Sequence, residues 1–249
     1  MKEIRIIGIR VEEDIKIGED LGELILRSLK KQKVNLLNKD ILVITQKIVS
    51  KAEGNIVDLK SVKASEFAKN LAKLLDKDER IIEIILRESK RIVKMDKGII
   101  ICETKHGFIC ANAGVDQSNV GKDKVSLLPR DPDLSARRIR DRIRELTGKD
   151  VAVIISDTFG RPWREGQVNF AIGIAGMDPL LDYRGKLDNY GYELKATVIA
   201  VADELASSAE LVMGKLNNVP IALIRGYNYR KKEGNIKRLI RKAEKDLFR

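Results

Sequence analysis

The chain has 249 residues, a formal charge of +11, 34% charged and only 4% aromatic residues, two cysteines and one histidine. That length buries a sizeable core without staples, and so few cysteines and histidines exclude a Cys/His zinc site, which needs three or four such ligands. The longest apolar runs, Val151 to Ile155 and Ala196 to Ala202, are too short to span a bilayer, and Met1-Lys2-Glu3-Ile4-Arg5 has no signal-like apolar region, so a soluble cytoplasmic protein without membrane contacts is expected. Heavy use of Lys, Glu and Ile resembles proteins that work hot.

In chain order, the pattern predicts a strand over Glu3 to Ile9, a polar turn over Arg10 to Gly18 and a helix from Glu19 to Lys31. A strand over Asp40 to Thr45 follows and runs into Gln46-Lys47-Ile48-Val49-Ser50-Lys51-Ala52-Glu53-Gly54. Two helices come next, marked by Phe67, Ala68, Leu71, Leu74 and Leu75, then by Ile81, Ile82, Ile85 and Leu86. Cys102 to Cys110 reads as a hairpin with Gly107 at a left-handed position, so that the two cysteines face each other as reduced, buried thiols and His106 is a turn residue rather than a catalyst. The double Pro-Asp loop from Leu128 to Asp133 caps an arginine-rich helix. Strand Val151 to Ser156 delivers Asp157, and Phe159 to Asp188 reads as loop-rich because of its many Gly and Pro residues. A strand over Ala196 to Val201, a helix over Asp203 to Lys215, a strand over Val219 to Ile224 and a basic tail helix complete the chain. Strands and helices mix without a clean βαβ period, so a mixed α/β or α+β fold is predicted, with no linker to mark a domain boundary.

The positive charge is concentrated. Residues Arg230 to Arg249 carry nine basic and three acidic side chains, and Arg137 to Lys149 carry six and two. Both stretches read as amphipathic helices with solvated basic faces, and neither interleaves aromatics with its charge as a nucleic-acid surface would.

The chemistry sits in two short segments. Asn112 to Asn119 and Ser156 to Arg161 each place a carboxylate, Asp116 or Asp157, beside further oxygen donors in a glycine-bearing turn. Such groups suit Mg2+ or Mn2+, which leave positions open for phosphate. Either aspartate alone could instead cap its turn. Lys51, Arg161 and Arg164 are the cations to set against phosphate oxygens, or else surface residues; Trp163 between the arginines could stack on a ring system or simply pack. Neither a P-loop nor a Gly-x-Gly-x-x-Gly turn occurs.

Six stretches taken together carry a likeness to a known family: Ile48 to Gly54, Asn112 to Val120, Leu128 to Asp133, Asp157 to Arg161, Phe170 to Ile174 and Val201 to Glu204. In this order they resemble the coenzyme F-420-0:L-glutamate ligase family, over residues 3 to 228. The resemblance implies a GTP-dependent ligase that joins L-glutamate to a deazaflavin coenzyme precursor, F-420-0, and then adds a gamma-linked second glutamate. It implies two divalent ions, Mg2+ or Mn2+, and K+. It also implies one catalytic unit over 1–249, either undivided or as two interleaved lobes, of an unusual two-lobed α+β fold that forms an intertwined homodimer. Carried over by motif, the metal ligands are Asp116, Asp157 and Thr158, and the catalytic set is Asp116, Asp157 and Lys51. GTP contacts come from Glu12, Glu13, Asp14, Ile15, Gln46, Lys47, Lys51, Asn119, Met213 and Gly214. One departure stands out: where the family has an acidic or amide ligand after Met-Gly, this chain has Lys215, so either Asn217 substitutes or the second ion is held more loosely.

Amide formation in water needs an activated carboxylate, and an acyl phosphate made from GTP would supply it with position and charge rather than histidine. Two rival readings stand beside it: a nucleotide- and metal-dependent ligase or phosphotransferase that keeps the metal site for another small carboxylate, and a basic nucleic-acid-binding module that uses the tail and the arginine-rich helix.

Overall fold

The structure, a computed structural model, describes residues 3–247. Readings that touch Met1, Lys2, Phe248 and Arg249, at the start of the chain and the end of the basic tail, lie outside the described residues.

The elements are, in order, β1 (Arg5–Ile9), α1 (Leu21–Lys31), β2 (Ile41–Thr45), α2 (Gln46–Ala52), β3 (Ile56–Asp58), α3 (Glu66–Leu75), α4 (Glu79–Glu88), β4 (Ser89–Asp96) and β5 (Ile99–Thr104). They continue with β6 (Ile109–Ala111), β7 (Lys124–Ser126), α5 (Pro132–Thr147), β8 (Ala152–Arg161), β9 (Arg164–Ala175), β10 (Leu181–Asp182), β11 (Val198–Ile199), α6 (Val201–Met213) and β12 (Ile221–Arg225). The fold is mixed α+β. Local chemistry sets the helix starts: Asp20 accepts from Glu23 N, Ser65 from Ala68 N and Asp131 from Leu134 N, with Pro132 entering α5 where no N–H is needed.

Five strands form the main sheet in the order β1-β12-β2-β8-β9. Strands β2 and β8 run parallel, and β12 is antiparallel to both β1 and β2, so β1, β2 and β8 end on one rim. Every residue from Ile41 to Ile44 and from Ala152 to Ser156 is buried, the continuous pattern of a sheet covered on both faces. Helix α5, backed by α1, packs on β8 and β9, while α6 packs on β1, β12 and β9. Gly173 permits the first contact, because a Cβ there would lie 2.4 Å from the Pro132 carbonyl oxygen.

A second core lies beside the sheet. Helices α3 and α4 and the sheet β4-β5-β6 enclose Leu71, Ile82, Ile85, Ile100, Cys102, Val115 and Val125. The short pair β3 and β7 joins the two regions. Within the β5–β6 hairpin Thr104 N bonds Phe108 O at 2.8 Å, Gly107 has φ +95°, and Cys102 pairs directly with Cys110. Both thiols are free and buried, and burial pushes Cys110 up to about 12. His106 Nε2 donates to Pro129 O at 2.9 Å, tying the turn to the loop before α5.

Five elements differ from the sequence pattern. Phe159 to Asp188 is not mainly loop: β8 runs on to Arg161, turns at Pro162-Trp163, and returns as the twelve-residue β9. Gln46–Ala52 is helical, and β4 is a strand the periodicity missed. The strand expected over Ala196 to Val201 shrinks to Val198–Ile199. The basic tail is not a helix: it holds two short 3-10 turns, Ile236–Arg238 and Ala243–Lys245. Its groups are pinned one by one to the body. Lys231 pairs with Asp150, Lys232 and Arg238 pair with Asp178, and Ile236 N donates to Asp133 Oδ2 at 3.0 Å. The arginine-rich helix is likewise neutralised, Arg140 by Asp150 and Arg142 by Asp20, Glu23 and Glu145.

Candidate active site

The rim where β1, β2 and β8 end is where the candidate residues gather, as ligands do at the carboxyl ends of parallel strands. The segment after β1 and the loop after α6 run together there, joined by Val11 N to Asn218 O at 3.0 Å, while Thr45 N bonds Pro220 O at 2.9 Å. Glu12, Glu13 and Asp14 are exposed on this rim, and Ile15 packs against the main core. Glu13 is engaged by Lys31 at 2.7 Å. Gln46 is buried and accepts from Ser50 Oγ at 2.9 Å. Met213 is fully buried, backbone included, so of the Met213-Gly214 pair only Gly214 is exposed. Gly214 has φ +57° and ψ −171°, a conformation essentially reserved for glycine. Lys47 and Lys51, four residues apart on α2, share one helix face.

Asp116 arrives from the other core. Asn112, Ala113 and Gly114 form a left-handed turn, with φ of 53°, 53° and 73°. Beyond it the Asp116 backbone pairs with Ser126 in both directions, at 3.1 and 2.8 Å. Its carboxylate accepts from Ser118 N at 2.8 Å and Ser118 Oγ at 2.7 Å, and from the Lys47 ammonium. Lys47 also donates to Ser118 O at 2.8 Å. Burial works to raise the Asp116 carboxyl, but Lys47 and Ser118 outweigh it and hold the group below its usual range. Asn119, at φ +58°, stays exposed just past this turn.

Asp157 follows a β-bulge that separates Ile155 from Ser156. Bulges beside active sites re-aim side chains. Burial, with the nearby negative charge of Asp116, pushes the Asp157 carboxyl up to about 6 against the Thr158 N–H, Lys47 and Lys215. The charges of Asp116, Lys47 and Lys215 are thus felt at Asp157. Asp116 is compensated by Lys47 and Asp157 is not, and two neighbouring carboxylates, one of them lacking a cation of its own, are oxygen donors that suit a hard divalent cation.

Thr158 belongs to a different cluster, since successive strand residues project to opposite faces. Its hydroxyl donates to Asn169 Oδ1 at 2.7 Å and accepts from Lys215 Nζ at 2.7 Å. Asn169 Nδ2 donates to Glu210 Oε2 at 2.8 Å, and Lys215 closes the ring on Glu210 Oε1 at 3.0 Å. No group of three His, Cys, Asp or Glu side chains poised for a metal occurs among the described residues. Arg161 and Arg164 face each other at the far end of the β8–β9 hairpin, where Arg161 donates to Glu165 O at 2.5 Å. The structure does not bring them to the aspartates.

Sequence reasoning missed Ser118, Asn169, Asp203 and Glu210. Asp203, Ser207 and Glu210 form a polar stripe at helical spacing on the otherwise apolar α6, and that was the available signal. Ser207 Oγ donates to Asn169 O at 2.8 Å, and Asp203 Oδ1 accepts from Ala171 N at 3.0 Å, so the stripe faces β9 beside the bulge.

A family profile described as F420-0:Gamma-glutamyl ligase matches residues 8–226. The chain belongs to this family. It is 46% identical to a "Coenzyme F420:L-glutamate ligase" of Methanothermobacter thermautotrophicus, over 99% of each chain. A protein of the same name in Methanopyrus kandleri is 46% identical over 99% of this chain and 98% of its own. A third, from Methanocaldococcus jannaschii, is 49% identical over 84% of both chains. No helix among the described residues is long and apolar enough to cross a membrane.

Proposed function

We propose that this member of the F420-0:gamma-glutamyl ligase family is a GTP-dependent ligase. It joins L-glutamate to the carboxylate of F420-0, then adds a second glutamate by a gamma link, working as a homodimer with K+ assisting. The observation that carries the reading is the Asp116–Asp157 pair at the strand-end rim, coupled in charge and flanked by Lys47, in a chain whose relatives bear the ligase name.

Two carboxylates from different cores converge, so Asp116 and Asp157 would hold Mg2+ or Mn2+. When bound, that ion would shield the nucleotide phosphates and the charge that develops as the phosphoryl group moves. The rest falls to the chain. Lys47 and Lys51, on one face of α2, supply positive charge on the phosphate side. Gly214 and the loop after it let backbone approach the nucleotide, next to the segment Glu12 to Ile15. The substrate carboxylate attacks the terminal phosphoryl group of GTP, GDP leaves, and the glutamate amine displaces phosphate from the acyl phosphate to form the amide. Positioning three anions against one another is the chief demand, and Lys47, Lys51 and the bound divalent cation would answer it.

The test is product formation by mass spectrometry from F420-0, L-glutamate, GTP and Mn2+, with omission of each in turn. GDP released without ligated product would refute the activity. Asp157→Asn should lower turnover by about 10² or more, as loss of electrostatic stabilisation of the transition state does. Its circular dichroism should match the parent protein.

A further inference from the structure

The ring on the α6 side of β8 differs from a metal site in one respect: it already contains a cation. Lys215 Nζ lies 2.7 Å from Thr158 Oγ1 and 3.0 Å from Glu210 Oε1. Asn169, itself buried, bridges the same two partners by donating to Glu210 Oε2 at 2.8 Å and accepting from the Thr158 hydroxyl at 2.7 Å. Each side chain in the ring therefore has a partner for its polar groups. The Thr158 proton is committed to Asn169 and one of its lone pairs to the ammonium, so the oxygen that the family resemblance offers to a second divalent ion keeps a single lone pair, beside a positive charge. Asn217, the alternative donor, folds its amide back over Gly214, with Nδ2 3.0 Å from where a Cβ would stand. A divalent ion entering here would have to displace Lys215 from both contacts and then remain beside its charge.

We infer that the ammonium of Lys215 takes the place of the second divalent cation, so that this chain works with one exchangeable metal, at Asp116 and Asp157, and one built-in cation at Thr158. The inference rests on the proposed ligase reading and sharpens it. A lysine ammonium is a compact, strongly hydrated point charge with three donors, able to reach Thr158, Glu210 and one phosphate oxygen at once. It carries half the charge of Mg2+ and cannot be removed by a chelator. The sequence change from an acidic or amide residue to Lys215 and the geometry of the ring thus have one explanation.

Metal counting tests this without turnover. Mn2+ bound per chain would be measured by electron paramagnetic resonance in the presence of a non-hydrolysable GTP analogue, for the parent protein, Lys215→Gln and Lys215→Glu. Because more than half of the Lys215 side chain is exposed, both variants should fold, and circular dichroism would check it. One ion in the parent and two in either variant is the expected result. Two ions in the parent would overturn the inference and leave the ligase reading standing. One ion in parent and variants alike would also overturn it, since Lys215 would then not be what excludes the second ion. No ion in the parent would defeat the metal site at Asp116 and Asp157, and the inference with it.

Discussion

Asp203 shows how much rests on a single side chain in this protein. Burial pushes its carboxyl up to about 6, opposed by the Ala171 N–H it accepts. A carboxyl whose folded pKa lies above its unfolded value favours the fold while protonated, and that contribution is lost as pH rises through the folded value. Asp203→Asn keeps an acceptor for Ala171 N and cannot ionise. Relative to the parent, the variant should therefore be more stable at pH 7.5 than at pH 5, by about 1–1.5 kcal/mol, since one pKa unit separates pH 5 from the folded value and is worth about 1.4 kcal/mol. Urea midpoints at the two pH values measure it, and equal differences would reject the assignment. Asp203 keeps this burden because the bond to Ala171 fixes the strand opposite Ser156, one residue before Asp157.

Among the elements, the β8–β9 hairpin was the hardest to read from sequence and matters most for the site. Gly160, Pro162, Gly166, Gly173 and Gly176 make it look like loop in the sequence. Gly173 lets α5 approach; adding one methyl group places it 2.4 Å from the Pro132 carbonyl oxygen. Gly173→Ala should cost about 1–3 kcal/mol, the usual penalty for overpacking, read from chemical denaturation. The tail was misread for the converse reason. Its apolar residues have helical spacing, but among the described ones only Ile236 is buried, and Asp133 and Asp178 hold its backbone and cations separately. Asp178→Ala removes two of these anchors and should speed proteolysis after Lys232 while shifting the global midpoint little. The large helices, the hairpin of the two thiols, strands β1, β2 and β12 and the first half of β8 were legible because periodicity and caps agree there. The convergence of Asp116 with Asp157 was not, because no local pattern relates residues separated by a helix and supplied by different cores. The likeness of the two segments, each a carboxylate beside further oxygen donors in a glycine-bearing turn, together with the resemblance to the ligase family, joined them in the sequence.

At the scale of the whole molecule, the basic charge is less available than its sum suggests, since Arg137, Arg140 and Arg142 of α5 and Lys231 and Lys232 of the tail have carboxylate partners of their own. What stays exposed to substrate lies at the rim between the two cores. Val115 and Val125 anchor the Asp116 loop in the smaller core, whereas Ile48 and Val49 anchor the Lys47 helix in the larger one. Hydrogen exchange should reveal the junction. Amides from Val115 to Ser126 should exchange at least several-fold more slowly once Mn2+ and a GTP analogue are bound, with α3 and α4 unchanged, because local opening near a ligand site is suppressed when the ligand needs the closed form.

The Lys47–Asp116 bond is a clasp between two bodies, and a clasp made of a lysine and a half-exposed carboxylate is easily exchanged. A nucleotide drawing Lys47 toward its phosphates would release the aspartate just as a cation arrives to claim it. Loading the enzyme would then swap one fastening for another, and the seam need never stand open.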